Sequence, residues 1–488
     1  MKRLLFILAG AALALSYPAG AQQRRSCGTP EMHKAMIAQD PSWAEKLAAQ
    51  RASLQQIADD YITQQKSGAL EKTTATSAVP VIFHIIVDSE QFNEMGATAG
   101  IIKRVDSQIA ILERDFNKKN PDSTSIPSSW KALYGNVGIH FGLARKDPNG
   151  HCTPGYEIKI ISSSGYSDQI MAFASAKSAS TGLASWDVTK YYNVWCINFS
   201  GSSLLGITVP RSQYSFYGGV NNVGVCILYS TLGKTATGAG TFPSQYNLGR
   251  TLTHETGHFF EIWHPWGDDG AGGVSAVDTG TCPWAASGCG PGTGLDDGLS
   301  DTPPESQAIY GTPTYTITGG TINDCCQMQS TTNKQPIGIA CLSYMDYTDD
   351  DAMHLFTPMQ AAVMASMALV APGGSGTTAG AGAVGESYSL TQNPSLLACP
   401  TEVSGIEADG KLNIYPNPST GQTNISIDET NDELNEIAVY NIVGQQVAGV
   451  KGSKKEYYSI DLSTMSKGIY IVKCNFASGS VTKKILLQ

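Results

Sequence analysis

The segment that most constrains this chain is residues 254–264, which read HETGHFFEIWH. On a helix, His254 and His258 lie four residues apart on one face, so both imidazoles can bind the same metal ion. Glu255 follows the first histidine and is the residue type expected to polarise a metal-bound water. His264 would point away on a continuous helix, so the helix must end before it. The segment therefore predicts three protein ligands and a water, as in a catalytic zinc site.

The alternative interpretation is a polar surface helix whose histidines have no shared role. Large apolar residues are interleaved with the polar ones and indicate a helix that packs in the core: Leu252, Phe259, Phe260 and Ile262. The residue pattern therefore does not favour a surface helix.

The segment resembles the HExxHxxGxxH motif of the metzincin metalloproteases. Its flanks, YNLGRT at 246–251 and WGD at 266–268, resemble the pappalysin/cytophagalysin family. Residues 192–195 and 205–210 resemble that family's substrate-binding edge strand and the loop beside it. The resemblance covers roughly residues 77–370. It implies a secreted zinc metalloendopeptidase of the α+β class, with a metzincin-like zincin domain built from a twisted mixed sheet, an active-site helix and a loop-rich C-terminal subdomain.

One position departs from the metzincin pattern. Residue 261 is Glu where the family usually has Gly, which lets the chain turn with positive φ straight after the helix. Glu261 would cost about 1–2 kcal/mol in the left-handed conformation. Either Glu261 adopts that conformation or the turn is built differently. We expect His264 to be the third zinc ligand in both cases.

A second segment, CLSYMDY at 341–347, resembles the Met-turn of these proteases. The resemblance implies that Met345 forms an apolar floor beneath the zinc ligands and that Tyr347 stabilises the oxyanion of the transition state. Taken alone, the two residues would be interpreted as a core methionine and a buried, hydrogen-bonded phenol. Their position downstream of the zinc motif favours the functional interpretation.

Length and charge fit an exported protein with several domains. A chain of 488 residues is long enough for about two to four domains. The net charge of −10 argues against nucleic acids and anionic membranes as main partners.

Residues 1–21 have the pattern of a signal peptide. A basic start at 1–3 precedes an apolar run at 4–15, and Ala-Gly-Ala at 19–21 matches a cleavage site. The apolar run is too short for a transmembrane helix, and no later stretch reaches about 18 apolar residues. We therefore expect a soluble, extracellular mature protein in a compartment that permits disulfides, either free or attached to the cell surface.

The 11 cysteines are an odd number, so at least one has no partner within the chain. The best candidate is Cys27, in RRSCGTP at 24–30. This segment resembles the cysteine switch of some pappalysins, which implies that a prosegment thiolate occupies the fourth zinc position and displaces the water. The alternative is that Cys27 forms an ordinary disulfide.

The other cysteines fall into two groups of interest. Five lie between the zinc motif and the Met-turn and are expected to form two disulfides whose connectivity stays open: Cys282, Cys289, Cys325, Cys326 and Cys341. Cys196 and Cys226 lie in apolar runs expected to be neighbouring strands, where either buried thiols or a bridge would fit.

Five segments are predicted along the chain. They are the signal peptide (1–21), an inhibitory prosegment (22–76), the zinc metalloprotease catalytic domain (77–371), a flexible Gly-rich linker (372–404) and a C-terminal domain (405–488). The prosegment has a helical pattern at 41–65 and an exposed Ser/Thr-rich stretch at 73–77 suited to activating cleavage. In the catalytic domain we expect a first strand at 79–87 and helices at 101–117, 246–260 and 359–369.

The C-terminal domain has short alternating strands separated by turn residues. Seven are predicted, at 411–415, 422–427, 435–440, 445–450, 457–461, 468–475 and 479–487, and they favour a small all-β Ig-like sandwich. LNIYPNP at 412–418, GIY at 468–470 and KKILL at 483–487 resemble the sorting domain of type IX secretion cargo. The resemblance implies the type IX machinery as a partner. A generic Ig-like binding module is the alternative.

An acidic, Gly-rich stretch at 268–304 follows the zinc motif. Oxygen ligands on a loop suit Ca²⁺. The family resemblance implies that Asp297 and Thr302, five residues apart, help to bind structural calcium near the cleft. The alternative is a solvated acidic loop.

The predicted reaction is zinc-assisted hydrolysis of peptide bonds in extracellular proteins, with Glu255 as general base and acid. The substrate would lie extended along an edge strand near 203–209. By resemblance, Asp351 would lie at the floor of a pocket for Arg or Lys just after the cut. We expect a monomer.

Two other functions compete with this one. A catalytically silent adhesin on the same fold is disfavoured because Glu255 and all three histidines are present. A different zinc hydrolase, such as a deacylase, is disfavoured by the extended motif and the Met-turn.

Overall fold

The computed structural model describes most of the chain. The described residues are 25–68, 78–163, 165–166, 172–213, 220–268, 297–302, 308–312, 316–318, 321–323, 340–369, 390–399, 412–427, 434–441, 445–453, 457–476 and 480–488. The signal peptide, the stretch 73–77 and four cysteines fall outside them: Cys282, Cys289, Cys325 and Cys326. The chain divides into a first unit that ends at Leu397 and a second that begins at Ala398.

A six-stranded mixed sheet forms the centre of the first unit. Its strands are β1 (Val79–Val87), β2 (Phe141–Leu143), β3 (Tyr156–Ile160), β4 (Tyr192–Ile197), β5 (Gly206–Val209) and β6 (Gly224–Leu228). The order is β2-β1-β4-β6-β5, and β3 also pairs with β1. All pairs are parallel except β5 with β6. β1 begins and ends where predicted, and its residues are all buried, as is typical of a central parallel strand.

The expectation for residues 192–195 was only partly right. These residues open β4, which is buried between β1 and β6, so they do not form an edge strand. The edge strand is β5, which contains most of the second segment. The two apolar runs look alike in sequence, and only the pairing order separates them.

Seven α-helices are described. They are α1 (Thr29–Gln39), α2 (Ser42–Ser67), α3 (Ser89–Glu94), α4 (Ala97–Asp115), α5 (Ala172–Ala176), α6 (Arg250–Phe259) and α7 (Pro358–Ala368). The active-site helix α6 is shorter than predicted because Gly249 has φ +78°, which ends the preceding turn in a left-handed conformation. None of the described helices is long and apolar enough to cross a membrane.

The prosegment helices belong to the first unit. α2 contributes Leu47, Leu54 and Ile57 to the unit's main apolar core. Full burial of each such side chain stabilises the fold by about 1.5–3 kcal/mol. The prosegment is therefore part of the packed core of the first unit.

The first unit extends further than predicted, because part of the expected linker packs on it. Leu390 is buried in the main core, and the Leu396 carbonyl accepts a hydrogen bond of 2.7 Å from the Arg145 N–H. The Gly-rich part of the linker, 372–385, lies outside the described residues.

The described cysteines have different states. Cys152 and Cys399 are disulfide-bonded. Cys196 and Cys226 lie on the neighbouring strands β4 and β6 and are buried thiols, not a bridge. Burial raises the pKa of Cys226 to about 12, so this thiol is unreactive at neutral pH.

The remaining strands are short or belong to the second unit. β7 (Thr316–Thr318) and β8 (Thr321–Asn323) pair with each other. The second unit contains β9 (Leu412–Tyr415), β10 (Gln422–Ile427), β11 (Leu434–Asn441), β12 (Gln446–Lys451), β13 (Tyr457–Asp461), β14 (Gly468–Phe476) and β15 (Ser480–Leu487). All seven agree with the predicted strands within one residue at each end. They form sheets β13-β10-β9 and β12-β11-β14-β15, whose inner residues share one apolar core, as in a sandwich.

Candidate metal centre

The chain reverses direction straight after α6. The helix ends at Phe259, and Glu261 follows with φ +73°, so it adopts the left-handed conformation that glycine favours. The Ile262 N–H then donates to the Gly257 carbonyl at 3.0 Å, which closes the turn. This turn brings His264 back to the face of α6 that carries the other two histidines.

The three imidazoles meet through their Nε2 atoms. The distance from His264 Nε2 is 3.1 Å to His258 Nε2 and 3.3 Å to His254 Nε2. Tetrahedral zinc with Zn–N bonds near 2.05 Å places two nitrogen ligands about 3.3 Å apart. The Cys27 Sγ joins them, and the four ligand atoms lie within 4.8 Å of one another. The donor set therefore fits a zinc ion.

The opposite ring nitrogens determine the tautomers. His254 Nδ1 donates to the Tyr344 carbonyl and His258 Nδ1 to the Ile262 carbonyl, both at 2.7 Å. His264 Nδ1 contacts the Asp268 carboxylate. With these protons on Nδ1, the three Nε2 atoms face one another as acceptors. A cation at their centre satisfies that arrangement.

Two of the three imidazoles, those of His254 and His258, are held in the neutral form that a metal requires. Burial lowers the pKa of His254 well below its usual value, and the neighbouring His258 and His264 lower it further. Burial also lowers the pKa of His258 to about 3, again with His264 acting in the same direction. Neutral imidazole is the ligand form, so the protein prepares these side chains for metal binding.

Asp268 orients the third histidine from four residues downstream. One carboxylate oxygen contacts His264 Nδ1 and the other accepts the His264 backbone N–H at 3.0 Å. Burial would raise the pKa of Asp268, but the imidazole of His264 outweighs it and holds the pKa below the ordinary value. The ionised carboxylate therefore fixes the tautomer and the direction of the ring.

Glu255 lies beside this cluster and under the edge strand. Its carboxylate accepts a hydrogen bond of 2.6 Å from the Thr208 hydroxyl. Burial raises the pKa of Glu255 to about 7, with a smaller opposing effect from Thr208. A Cβ on Gly206 would lie 2.3 Å from the carboxylate, so glycine is required for this close approach. A carboxyl with a pKa near neutrality is suited to general base catalysis.

The prosegment crosses the cluster and pairs with the edge strand through one β-bridge. The Gly28 N–H donates to the Gly206 carbonyl, and the Leu205 N–H donates to the Ser26 carbonyl, both at 2.9 Å. This pairing with the edge of β5 is parallel and places Cys27 over the histidines.

Met345 and Tyr347, the two residues expected from the Met-turn, both lie close to the cluster. A Cβ on Gly257 would lie 2.3 Å from the Met345 sulfur, so the buried methionine packs directly against α6. The Tyr347 ring lies 5.0 Å from that of His264. Its hydroxyl accepts from the Cys27 N–H at 3.1 Å and donates to the Cys27 carbonyl at 3.3 Å.

A second prosegment side chain fills a neighbouring acidic pocket. The Arg25 guanidinium forms an ion pair of 2.5 Å with Asp350, donates to the Thr348 carbonyl at 3.0 Å and lies 5.0 Å from the centre of the Tyr246 ring. Both Arg25 and Asp350 are buried. Asp351, expected from the sequence at this position, is exposed and accepts from the Thr312 hydroxyl at 2.7 Å. Asp350, and not Asp351, is therefore the carboxylate that pairs with the Arg25 side chain.

The two residues expected to bind calcium are both buried. The Asp297 carboxylate accepts from the Leu299 N–H at 3.0 Å and from Gln360 Nε2 at 2.9 Å. Burial raises the pKa of Asp297 to about 8, and the nearby Asp301 adds to this. Thr302 is also buried.

Sequence reasoning missed several residues of this site. Asp268, Thr208 and Arg25 lie inside segments that the family resemblance had marked, and Asp350 is the neighbour of the expected Asp351. The partners of Thr208, Arg25 and Asp350 are far away in sequence. Only Asp268 carried a local signal, because a carboxylate four residues after His264 can reach its ring.

Residues 413–488 match the family model of the secretion system C-terminal sorting domain. This match confirms the predicted sorting domain and, with it, export from the cell.

Two similar curated proteins are extracellular metalloproteases of fungi. The one from Podospora anserina is 27% identical over 73% of this chain and 94% of its own length. The one from Sordaria macrospora is 26% identical over 75% of this chain and 95% of its own length. These relatives confirm the predictions that the chain is a metalloprotease and that it is secreted.

Two solved structures from Tannerella forsythia are also similar. Mature mirolysin in complex with a cleaved peptide is 27% identical, with a TM-score of 0.49, and the match covers 66% of this chain and 98% of that one. A mutant of promirolysin is 27% identical with the same TM-score, and the match covers 70% of this chain and 92% of that one.

Proposed function

We propose that this secreted metalloprotease is made as a latent zinc endopeptidase whose prosegment closes its own active site. The observation that carries the proposal is the meeting of Cys27 with the three Nε2 atoms of the histidines, beside a buried Glu255. His254, His258 and His264 would hold zinc, and the Cys27 thiolate would fill the fourth position in the zymogen.

Each residue has a distinct role once the prosegment has left. Bound zinc would supply Lewis-acid polarisation of the scissile carbonyl and a water of lowered pKa. Glu255 accepts the proton of the attacking water and delivers it to the leaving amine. Tyr347 donates its hydroxyl to the oxyanion, which is supported by the hydrogen bonds that it makes with the backbone of Cys27. Met345 supports the ligands from below.

The substrate would occupy the edge of β5, where prosegment residues 26–28 now pair. An extended peptide gains main-chain hydrogen bonds there. The prosegment runs parallel to β5. A substrate pairing antiparallel would run in the opposite direction, so the residue just after the cut would reach the pocket that holds Arg25. That pocket favours Arg or Lys after the cut, with Asp350 as the charge that recognises it.

Calcium is proposed for the loop around Asp297. A buried carboxyl with a pKa of about 8, close to Asp301, is costly to ionise without a cation. A Ca²⁺ ion held by Asp297 and Thr302 would offset that cost. We also propose that the mature enzyme is a monomer and that the type IX machinery recognises residues 413–488.

The function is tested by comparing the full chain with Glu255→Ala on casein after removal of the prosegment by limited proteolysis. We expect cleavage that a zinc chelator abolishes and zinc restores. Glu255→Ala should retain zinc and lose about 10²- to 10⁴-fold in kcat/KM. Glu90→Ala, which changes an exposed glutamate, is the control. Zinc-loaded wild-type protein without any peptidase activity would instead support the silent adhesin.

A further inference from the structure

A second attachment of the prosegment lies on α2, away from the zinc cluster. The Gln50 side chain donates to the Glu261 carboxylate and, at 3.0 Å, to the Ser212 hydroxyl. Its carbonyl oxygen accepts from Gln213 Nε2 at 3.4 Å. Both the NH₂ group and the carbonyl oxygen of the Gln50 side chain are therefore hydrogen-bonded to residues outside the prosegment.

The Glu261 carboxylate, which accepts from Gln50, is held in position by Ser212, a residue outside the prosegment. The Ser212 N–H and hydroxyl donate to the Glu261 carboxylate at 2.8 Å and 2.6 Å. The backbone of Glu261 is strained at φ +73°, a conformation that persists only where the surroundings determine it. The carboxylate is buried, and the Ser212 groups that donate to it lie outside the prosegment. Glu261 therefore offers Gln50 a buried acceptor whose other partners belong to the rest of the first unit.

The next turns of α2 contact a different part of the first unit. Gln55 Oε1 accepts from the Ser300 N–H at 2.9 Å, and Gln55 Nε2 lies 3.5 Å from the Met359 sulfur. A Cβ on Gly298 would lie 2.5 Å from the Arg51 carbonyl, so the loop approaches the helix closely. α2 also packs along α7.

The two attachments are chemically independent. One is a thiol and an arginine in the cleft, and the other is a helix held by its apolar face and by Gln50. The contacts named for both attachments come from residues before 69, and a single cut within 69–77 would separate the prosegment from β1. Several weak contacts on one ligand retain it far better than any one alone.

We propose that the surface around Glu261, Ser212, the loop 297–302 and α7 is a binding site for α2 that keeps the excised prosegment bound after that cut. Glu261 is its recognition residue. The cut alone therefore leaves the enzyme inhibited, and activation requires that α2 itself be degraded or displaced. This inference rests on the latency part of the proposed function.

The test uses the full chain with Glu255→Ala, so that no self-cleavage occurs, and with residues 73–77 replaced by the recognition sequence of a site-specific protease. After the cut, dilution and size exclusion measure how much of the prosegment stays with the remainder. Cys27→Ser in this background removes the thiol attachment. Gln50→Ala and, as a matched control, Gln56→Ala are then added separately. Gln56 is exposed, and its side chain donates to Asp60 on the same helix at 2.7 Å.

We expect the cut Cys27→Ser protein to keep its prosegment at micromolar concentration. Adding Gln50→Ala should weaken retention by about tenfold or more, because a hydrogen bond to a charged group is lost, whereas Gln56→Ala should have no effect. Loss of the prosegment from cut Cys27→Ser protein would overturn the proposal, as would equal retention in the Gln50 and Gln56 variants. Thermal unfolding before the cut shows that each variant is folded. Because every variant is inactive by design, this result is separate from whether the protein is a peptidase.

Discussion

The interiors of the two units of this protein differ in how many polar and charged side chains they bury. The second unit encloses an apolar core between two sheets, and strands such as β14 alternate buried and partly exposed residues along their length. The first unit buries many polar and charged side chains, among them all three histidines, Glu255, Asp268 and Asp350. Burying such groups is costly unless each has a partner. The interior of the second unit therefore serves stability, whereas the interior of the first unit also holds the groups of the metal centre.

The partners in the first unit come from distant parts of the chain. The Tyr344 carbonyl orients His254, Thr208 contacts Glu255, and the prosegment itself supplies Arg25 and Cys27. A change in one of these polar partners should therefore alter chemistry more than folding. A change in the apolar core of the second unit should do the reverse.

Among changes to the polar partners that surround the catalytic residues, the largest effect is expected from Asp350→Asn in the mature enzyme. The substitution removes the charge facing an arginine but keeps an acceptor for the Leu248 N–H that Asp350 now binds at 2.8 Å. A hydrogen bond to a charged group contributes about 1.5–3 kcal/mol, so kcat/KM for peptides with Arg after the cut should fall about 10- to 100-fold. Peptides with an apolar residue there should be cleaved at the same rate.

The matched control for that prediction is Asp351→Asn, at the exposed neighbour. A profile on a peptide library compares both variants with the wild type. If Asp351→Asn changes the preference and Asp350→Asn does not, the pocket is assigned to the wrong carboxylate.

That pair of residues shows where sequence reasoning stops. Adjacent aspartates in a loop have no periodicity that indicates which one turns inward. The same limit applies to Ile101 and Ile102 of α4: the two residues are identical and adjacent in the predicted helix, but Ile101 is buried and Ile102 is 40% exposed. By contrast, the strands of the second unit followed from alternation alone, because their interior requires only apolar side chains on one face.

The zinc motif could be predicted because its residues are close in sequence and its helix geometry is fixed. The role of Glu261 could not. Its left-handed backbone was one of two expected outcomes, but its contacts with Ser212 and Gln50 depend on tertiary packing of α2. Local patterns do not contain that information.

Asp268→Asn is expected to change zinc affinity by a factor similar to the one that Asp350→Asn produces in kcat/KM. The amide cannot carry the negative charge that holds the Nδ1 proton of His264, so the zinc dissociation constant should rise about 10- to 100-fold. Competition with a calibrated chelator measures it. Asp147→Asn provides the control, because Asp147 and His151 form a histidine–carboxylate pair of the same spacing on the surface. Equal zinc affinity in all three proteins would show that Asp268 has only a structural role.

A smaller effect is expected from calcium on thermal stability, and its size depends on pH. Burial raises the pKa of Asp297 to about 8 in the folded protein, above its unfolded value near 4. The folded state then binds more protons than the unfolded state between these values, so stability without calcium falls as pH rises from about 4 to 8. Bound calcium favours the ionised carboxylate. Calcium should therefore raise Tm more at pH 8 than at pH 5.

The calcium prediction is checked by thermal unfolding with and without calcium at both pH values. Asp297→Asn has no charge to titrate at this position, so it should lose most of the pH-dependent gain. A calcium effect that is the same at both pH values, or unchanged in Asp297→Asn, would place the ion elsewhere.

The smallest effect on catalysis is expected from a substitution in the core of the second unit, although it should strongly destabilise that unit. Ile425 is fully buried between the two sheets, and Ile425→Ala should destabilise that unit by about 2–5 kcal/mol. Calorimetry of the full chain should show a lower transition for the second unit and an unchanged transition for the first. Peptide cleavage should stay within about twofold of the wild type, because no residue of the second unit belongs to the described site.

Tyr457→Ala, at an exposed position of the same sheet, serves as the control because it removes no core packing. If Ile425→Ala instead lowers zinc affinity or cleavage, the two interiors are energetically coupled and the contrast between them fails.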